Sequence, residues 1–144
     1  MFRLRAIAVV IEGDQVLLVN CVGRPGHFVP PGGGVDPPES AQEAARREVE
    51  EETGVQAVIG DLIAYREVLW AEYSSFEVYF AGRPIGAGRD QAGSAELHVR
   101  WTPLSELARL EYFPERLPEL CDLALSGGRP LYLGARDLRR VSRG

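Results

Sequence analysis

The stretch from residue 23 to residue 55 limits what this chain can fold into more than any other part. It begins as a loop rich in Gly and Pro, ending in Pro30-Pro31-Gly32-Gly33-Gly34. Ser40 then supplies an N-cap and Gly54 a left-handed C-cap, which predicts a helix over residues 40–53. That helix closes with Glu48, Glu50, Glu51 and Glu52. Helix C-termini carry partial negative charge and favour cations, so four acids there oppose the helix dipole. Glu48 shares a face with Glu51 and Glu52, and such like-charge pairs repel by about a few tenths of a kcal/mol each on a solvated helix. A sequence shaped only by helix stability would not be written this way.

The net charge of −5 belongs to this same segment: residues 36–52 hold seven acids and two arginines, and acids and bases balance elsewhere. With no basic face or tail, bulk attraction to nucleic acid or to an anionic membrane is not expected. All 16 basic residues are Arg, so a Schiff-base lysine and a Walker A lysine are both excluded. Cys21 and Cys121 lie far apart in apolar stretches and read as two buried free thiols. No run approaches the roughly 18 apolar residues of a membrane span, and the start Met-Phe-Arg-Leu-Arg leads directly into a strand-like run, so the cytoplasm is the expected location. A length of 144 residues fits a single domain covering residues 1–144.

Residues 4–11 and 16–20 are apolar, β-branched runs around Glu12-Gly13-Asp14-Gln15, the pattern of a hairpin. Residues 55–70 and 76–82 read as longer strands, 97–101 as a short one, and 86–94 as a polar loop. A helical turn is expected over 104–109. A second helix is expected over 114–126, with Leu117, Leu120, Cys121, Leu123 and Ala124 on one face. Strands before, between and after two helices imply an α/β (α+β) fold, a mixed β-sheet sandwiched between helices.

The acidic helix end has two readings. A solvated acidic face is what most charge runs are. A bound cation is the other: clustered carboxylates suit hard Mg²⁺, or Mn²⁺, which take few protein oxygens plus water and phosphate. The order of the segment decides between them. Gly33-x5-Glu39-x7-Arg47-Glu48-Val49-x-Glu51-Glu52-x-Gly54-Val55 resembles the Nudix box at every defined position, and seven fixed residues would coincide by chance about once in 10⁸ to 10⁹ windows.

The resemblance implies a Nudix fold and a metal-dependent hydrolase of the MutT-like kind. It implies Glu48, Glu51 and Glu52 as metal ligands, the Gly32 carbonyl completing the shell, and Arg47 orienting Glu48 or Glu51. Glu39, near the helix start, can reach Arg47 two turns on. The implied reaction is attack of a metal-activated water on one phosphorus of a pyrophosphate. Glu96 is the candidate loop carboxylate for the base, with an ordinary solvated acid as its equal competitor, and Glu77 is a weaker second. Phe28 and Tyr73 are the candidates for stacking on a base. Tyr65, Trp70 and Tyr79 could also do so, although aromatic residues in strands usually belong to the core, and His27 and His98 read first as structural. The substrate, a small-molecule nucleotide, is spread over nucleoside triphosphates including oxidised ones, ADP-ribose or another nucleotide sugar, and dinucleoside polyphosphates. A catalytically idle nucleotide-sensing module is the alternative, and a homodimer is open by analogy with family members.

Overall fold

In the computed structural model, residues 2–21, 23–86 and 99–141 are described. The chain runs β1 (Phe2–Glu12), β2 (Gln15–Asn20), β3 (His27–Val29), β4 (Gly32–Gly34), α1 (Ala41–Thr53), β5 (Ala57–Leu69) and β6 (Ser74–Pro84). It continues through β7 (Val99–Pro103), a 3-10 segment (Leu104–Arg109), β8 (Glu111–Tyr112), α2 (Leu117–Ser126) and β9 (Leu131–Asp137).

The strands form one mixed sheet in the order β8-β3-β2-β1-β6-β5-β9, with β4 on β1 and β7 on β2. β1 is its spine. It runs parallel to β6 from Phe2 to Val10, takes β4 antiparallel on its other edge at Arg5 to Ile7, and meets β2 only at the hairpin end. Both faces of β1 are covered, which is why its central run is continuously apolar rather than alternating. Ala6, Ala8 and Val10 face α1 with Ala44, Ala45 and Val49, while Ile7, Val9 and Ile11 face α2 with Leu117, Leu120 and Cys121. The alanines at the α1 interface are fully buried and small, so the helix lies close on the sheet and its acidic end is carried up to β4.

Three expectations change. Residues 114–116 form a turn, and α2 starts at Leu117, whose N–H reaches the Pro114 carbonyl. The Gly/Pro loop contains two short strands, β3 and β4, and residues 131–137 add an edge strand to β5. Cys121 is buried as expected, but Cys21 is only half-buried, because β2 has already ended at Asn20 and the chain is turning across a cleft. Among the described residues no helix is long and apolar enough to cross a membrane.

Candidate active site

α1 is capped as the sequence requires. Ser40 Oγ accepts from the Glu43 N–H at 3.1 Å, the Glu43 carboxylate accepts from the Ser40 N–H at 2.9 Å, and Gly54 closes the helix at φ 76°. The dipole conflict at its end is met by Arg47. Its Nε and Nη2 donate to the two Glu39 oxygens at 3.1 and 2.6 Å, Nη1 donates to Glu48 Oε1 at 2.9 Å and to Glu51 Oε2 at 3.2 Å, and Nη2 also reaches the Gly34 carbonyl at 3.0 Å. One planar five-donor fork thus ties the helix start, the acidic helix end and the glycine strand into one unit. The Arg47 hydrogen bonds and the Asp36 N–H draw the Glu39 carboxyl down to about 2, and the same carboxylates raise Arg47 further above its ordinary value.

The glycines of β4 are spaces. A Cβ on Gly33 would lie 2.5 Å from Glu48 Cδ and 2.6 and 2.8 Å from its two oxygens, so the Glu48 carboxylate occupies the volume that any side chain at 33 would fill. A Cβ on Gly32 would meet the Ala6 carbonyl oxygen at 2.5 Å and Ile7 Cα at 2.7 Å, so glycine is what lets β4 pair with β1 here. The Gly32 N–H points to Glu52 Oε2 at 3.4 Å. Partial burial, then the neighbouring Glu48 charge, pushes the Glu52 carboxyl up to about 7, against the pull of the Gly32 N–H and Arg5.

The structure therefore brings Gly32, Arg47, Glu48, Glu51 and Glu52 together. Among the described residues no three acidic, His or Cys side chains already converge as metal ligands. Glu51 leans to Arg47, and its carboxylate is more than half exposed. A divalent cation fits this donor set: burial and then the neighbouring Glu48 charge raise Glu52, and a cation between the two carboxylates would offset both.

A cleft of about 970 Å³ opens beside Gly32 and Glu52, walled by Val29, Tyr79, Phe113 and Cys21. Glu77 does point into it. Its oxygens are held by Arg66 Nε at 2.5 Å and Arg5 Nε at 3.4 Å, which makes it a charge partner rather than a free proton acceptor. Glu96 and His98 lie outside the described residues. Val29 lines the cleft, whereas Phe28 packs against the core on the α2 side under Arg100. Tyr73 stacks with Trp70 at 5.9 Å and lines a second cleft of about 950 Å³. Tyr65 stacks on Tyr132, Tyr79 is buried, and the His27 ring lies 4.0 Å from Glu111 on the adjacent strand. The sequence reading missed Arg5 and Arg66, which line both clefts. The one signal for Arg66 was a charge inside an otherwise strand-like run.

The sequence profile of the NUDIX domain matches residues 1–123. The chain belongs to the NUDIX family. Diphosphoinositol polyphosphate phosphohydrolase 2 of Rattus norvegicus is 46% identical over 56 residues, 39% of this chain and 31% of that protein. An RNA pyrophosphohydrolase of Erythrobacter litoralis (strain HTCC2594) is 65% identical over 34 residues, 24% of this chain and 21% of that protein. These matches span a third or less of the length of the curated relatives. The crystal structure of a NUDIX hydrolase from Nitrosomonas europaea superposes with a TM-score of 0.75 at 20% identity, covering 94% of this chain and 78% of that one, and it shares the fold. The NUDIX box of this chain thus sits where helix, glycine strand and cleft meet.

Proposed function

We propose that this NUDIX protein is a metal-dependent pyrophosphohydrolase of the cytoplasm, cutting a phosphoanhydride in a nucleoside diphosphate linked to another group. The observation that carries the reading is the placement of Glu48, Glu51 and Glu52 on one helix end against the glycine strand: the Arg47 guanidinium holds Glu48, Glu51 and the Gly34 carbonyl, and the Gly32 N–H points to Glu52. An intact carboxylate set beside an open cleft favours an enzyme over an idle sensing module. Relatives named diphosphoinositol polyphosphate phosphohydrolase and RNA pyrophosphohydrolase support the same reaction class.

Glu48, Glu51 and Glu52, with the Gly32 carbonyl, would hold Mg²⁺ or Mn²⁺. When bound, such an ion supplies a water of lowered pKa and neutralises charge developing on the phosphoryl oxygens. The residues of the chain do the positioning. Arg47 fixes Glu48 and Glu51 relative to the glycine strand. Gly33 leaves room for the Glu48 carboxylate, and Tyr79, Val29 and Phe113 wall the opposite side of the cleft. Arg5, at the cleft edge facing Glu52, offers N–H donors to a bound phosphate.

The test is phosphate-product release from a panel of triphosphates, nucleotide sugars, ADP-ribose and dinucleoside polyphosphates, with Mg²⁺, with Mn²⁺ and with chelator. Turnover of at least one member that vanishes with chelator is the expected result. Turnover that persists in chelator would overturn the metal assignment.

A further inference from the structure

The side of the sheet that α2 covers does not end where α2 ends. Strand register continues it outward as two rows of side chains. Arg5, Glu77 and Arg66 are neighbours across β1, β6 and β5, and one step further out Arg3, Ser75, Val68 and Arg136 are neighbours across β1, β6, β5 and β9. Residues two apart on a strand share a face, so the four arginines stand on one floor. It is three inter-strand spacings wide, about 14 Å, and its two rows lie about 7 Å apart.

The charge on this floor does not balance. Glu77 serves Arg5 and Arg66 together. Among the described residues neither Arg3 nor Arg136 has a carboxylate within 4 Å; each is instead stacked on a ring, Arg3 over Tyr73 at 4.6 Å and Arg136 over Phe113 at 4.5 Å. Ring stacking uses the face of a guanidinium and leaves its in-plane N–H donors free, while fixing where they stand. Arg66 and Glu77 are 7% and 8% exposed, and a buried ion pair contributes little net stability, so stability alone does not explain it. The floor opens directly onto the acidic helix end: Arg5 and Glu77 line both clefts, one of which reaches Gly32 and Glu52 and the other Gly34 and Asp36.

We propose that Arg3, Arg5, Arg66 and Arg136 form a phosphate-binding floor for groups of the substrate beyond the bond that is cut. The substrate is then a compound with clustered phosphates, either a dinucleoside polyphosphate or, outside the nucleoside diphosphates named above, a densely phosphorylated polyol with the same phosphoanhydride, rather than a nucleotide sugar. The anion site follows from the floor itself, and its assignment to substrate rests on the hydrolase reading above.

The test has two arms. In chelator, binding of inorganic tripolyphosphate is measured by calorimetry for the wild type and for the Arg3→Gln/Arg136→Gln double variant. Loss of two charge-assisted contacts should weaken it by about tenfold or more. The Arg3→Lys/Arg136→Lys variant, which keeps the charge, should recover part of that loss. Equal affinity in wild type and Gln variant would overturn the site. With metal, kcat/KM is compared for diadenosine pentaphosphate, a diphosphoinositol polyphosphate and UDP-glucose. The wild type should prefer one of the first two, naming the source of the phosphates, and the Gln variant should lose that preference by about tenfold. A wild-type preference for UDP-glucose, or a preference the variant keeps, would overturn the substrate class. If the wild type hydrolyses nothing while tripolyphosphate binding still depends on Arg3 and Arg136, the hydrolase reading falls and the anion site stands. Both arginines are exposed, and the melting temperature of each variant checks that the fold is kept.

Discussion

Two adjacent glycines should respond to the same substitution in opposite ways. In Gly33→Ala the added Cβ would lie 2.5 Å from Glu48 Cδ, the far end of a flexible side chain, so the carboxylate swings away and the backbone stays. The alanine also restricts the unfolded chain, worth about 0.4–1 kcal/mol in favour of folding, which offsets part of what is lost when Glu48 leaves Arg47. The melting temperature should therefore move by no more than about 3 °C. Activity should not survive: a ligating carboxylate displaced by an ångström or more costs about a hundredfold or more in kcat. In Gly32→Ala the Cβ would lie 2.5 Å from the Ala6 carbonyl oxygen and 2.7 Å from Ile7 Cα, both backbone, so β4 must be pushed off β1. Overpacking of that kind costs about 3 kcal/mol, a fall in melting temperature on the order of 10 °C for a chain of this size. Circular dichroism melts in chelator and metal-supported kinetics on the best panel substrate, run on both variants, separate the two effects. A Gly33→Ala protein that keeps wild-type kcat, or that melts as early as Gly32→Ala, would refute the view that Glu48 fills the space above Gly33.

Three further outcomes are expected. Glu52→Gln should lower kcat by orders of magnitude yet raise the melting temperature of the metal-free protein at pH 8, because it removes the repulsion with Glu48; Glu51→Gln should cut kcat without that gain, since its carboxylate is paired with Arg47 at 3.2 Å. The metal-free wild type should melt higher as pH falls from 8 to 6: Glu52 in the fold takes up its proton near pH 7 and in the unfolded chain only near 4.5, so stability drops as pH rises through 7, and Glu52→Gln should flatten that slope in a pH series of melts. Arg47→Lys should lower both melting temperature and kcat nearly as much as Arg47→Ala, because one ammonium cannot span Glu39, Glu48, Glu51 and the Gly34 carbonyl at once; a fully active Lys variant would contradict the fork argument.

The helix with its caps, the hairpin of β1 and β2, and the long strands β5 and β6 were legible because each carries a periodic or capping signal of its own. β4 carried none. Three glycines have no side-chain pattern, and they become a strand only because β1 offers an edge and glycine alone fits beside Ala6 and Ile7. β9 showed a faint signal in Leu131 and Leu133, which pack on the α2 side, interrupted by Gly134. At the site, the residues of the box were readable from spacing, and Arg47 meets both Glu48 and Glu51, which the sequence had left as alternatives. The arginine floor was not readable. Arg3, Arg5, Arg66 and Arg136 come from three strands widely separated in the chain, and only the registers of β1 with β6, of β6 with β5 and of β5 with β9 bring them side by side.

The most direct test of the central claim is a titration of Mn²⁺ into the protein, followed through the electron paramagnetic resonance signal of the free ion, for wild type and for Glu48→Gln and Glu52→Gln. Saturable binding in the wild type that weakens about tenfold or more in each variant is the predicted result. Equal binding by all three proteins would contradict the assignment of the helix-end glutamates as the metal site.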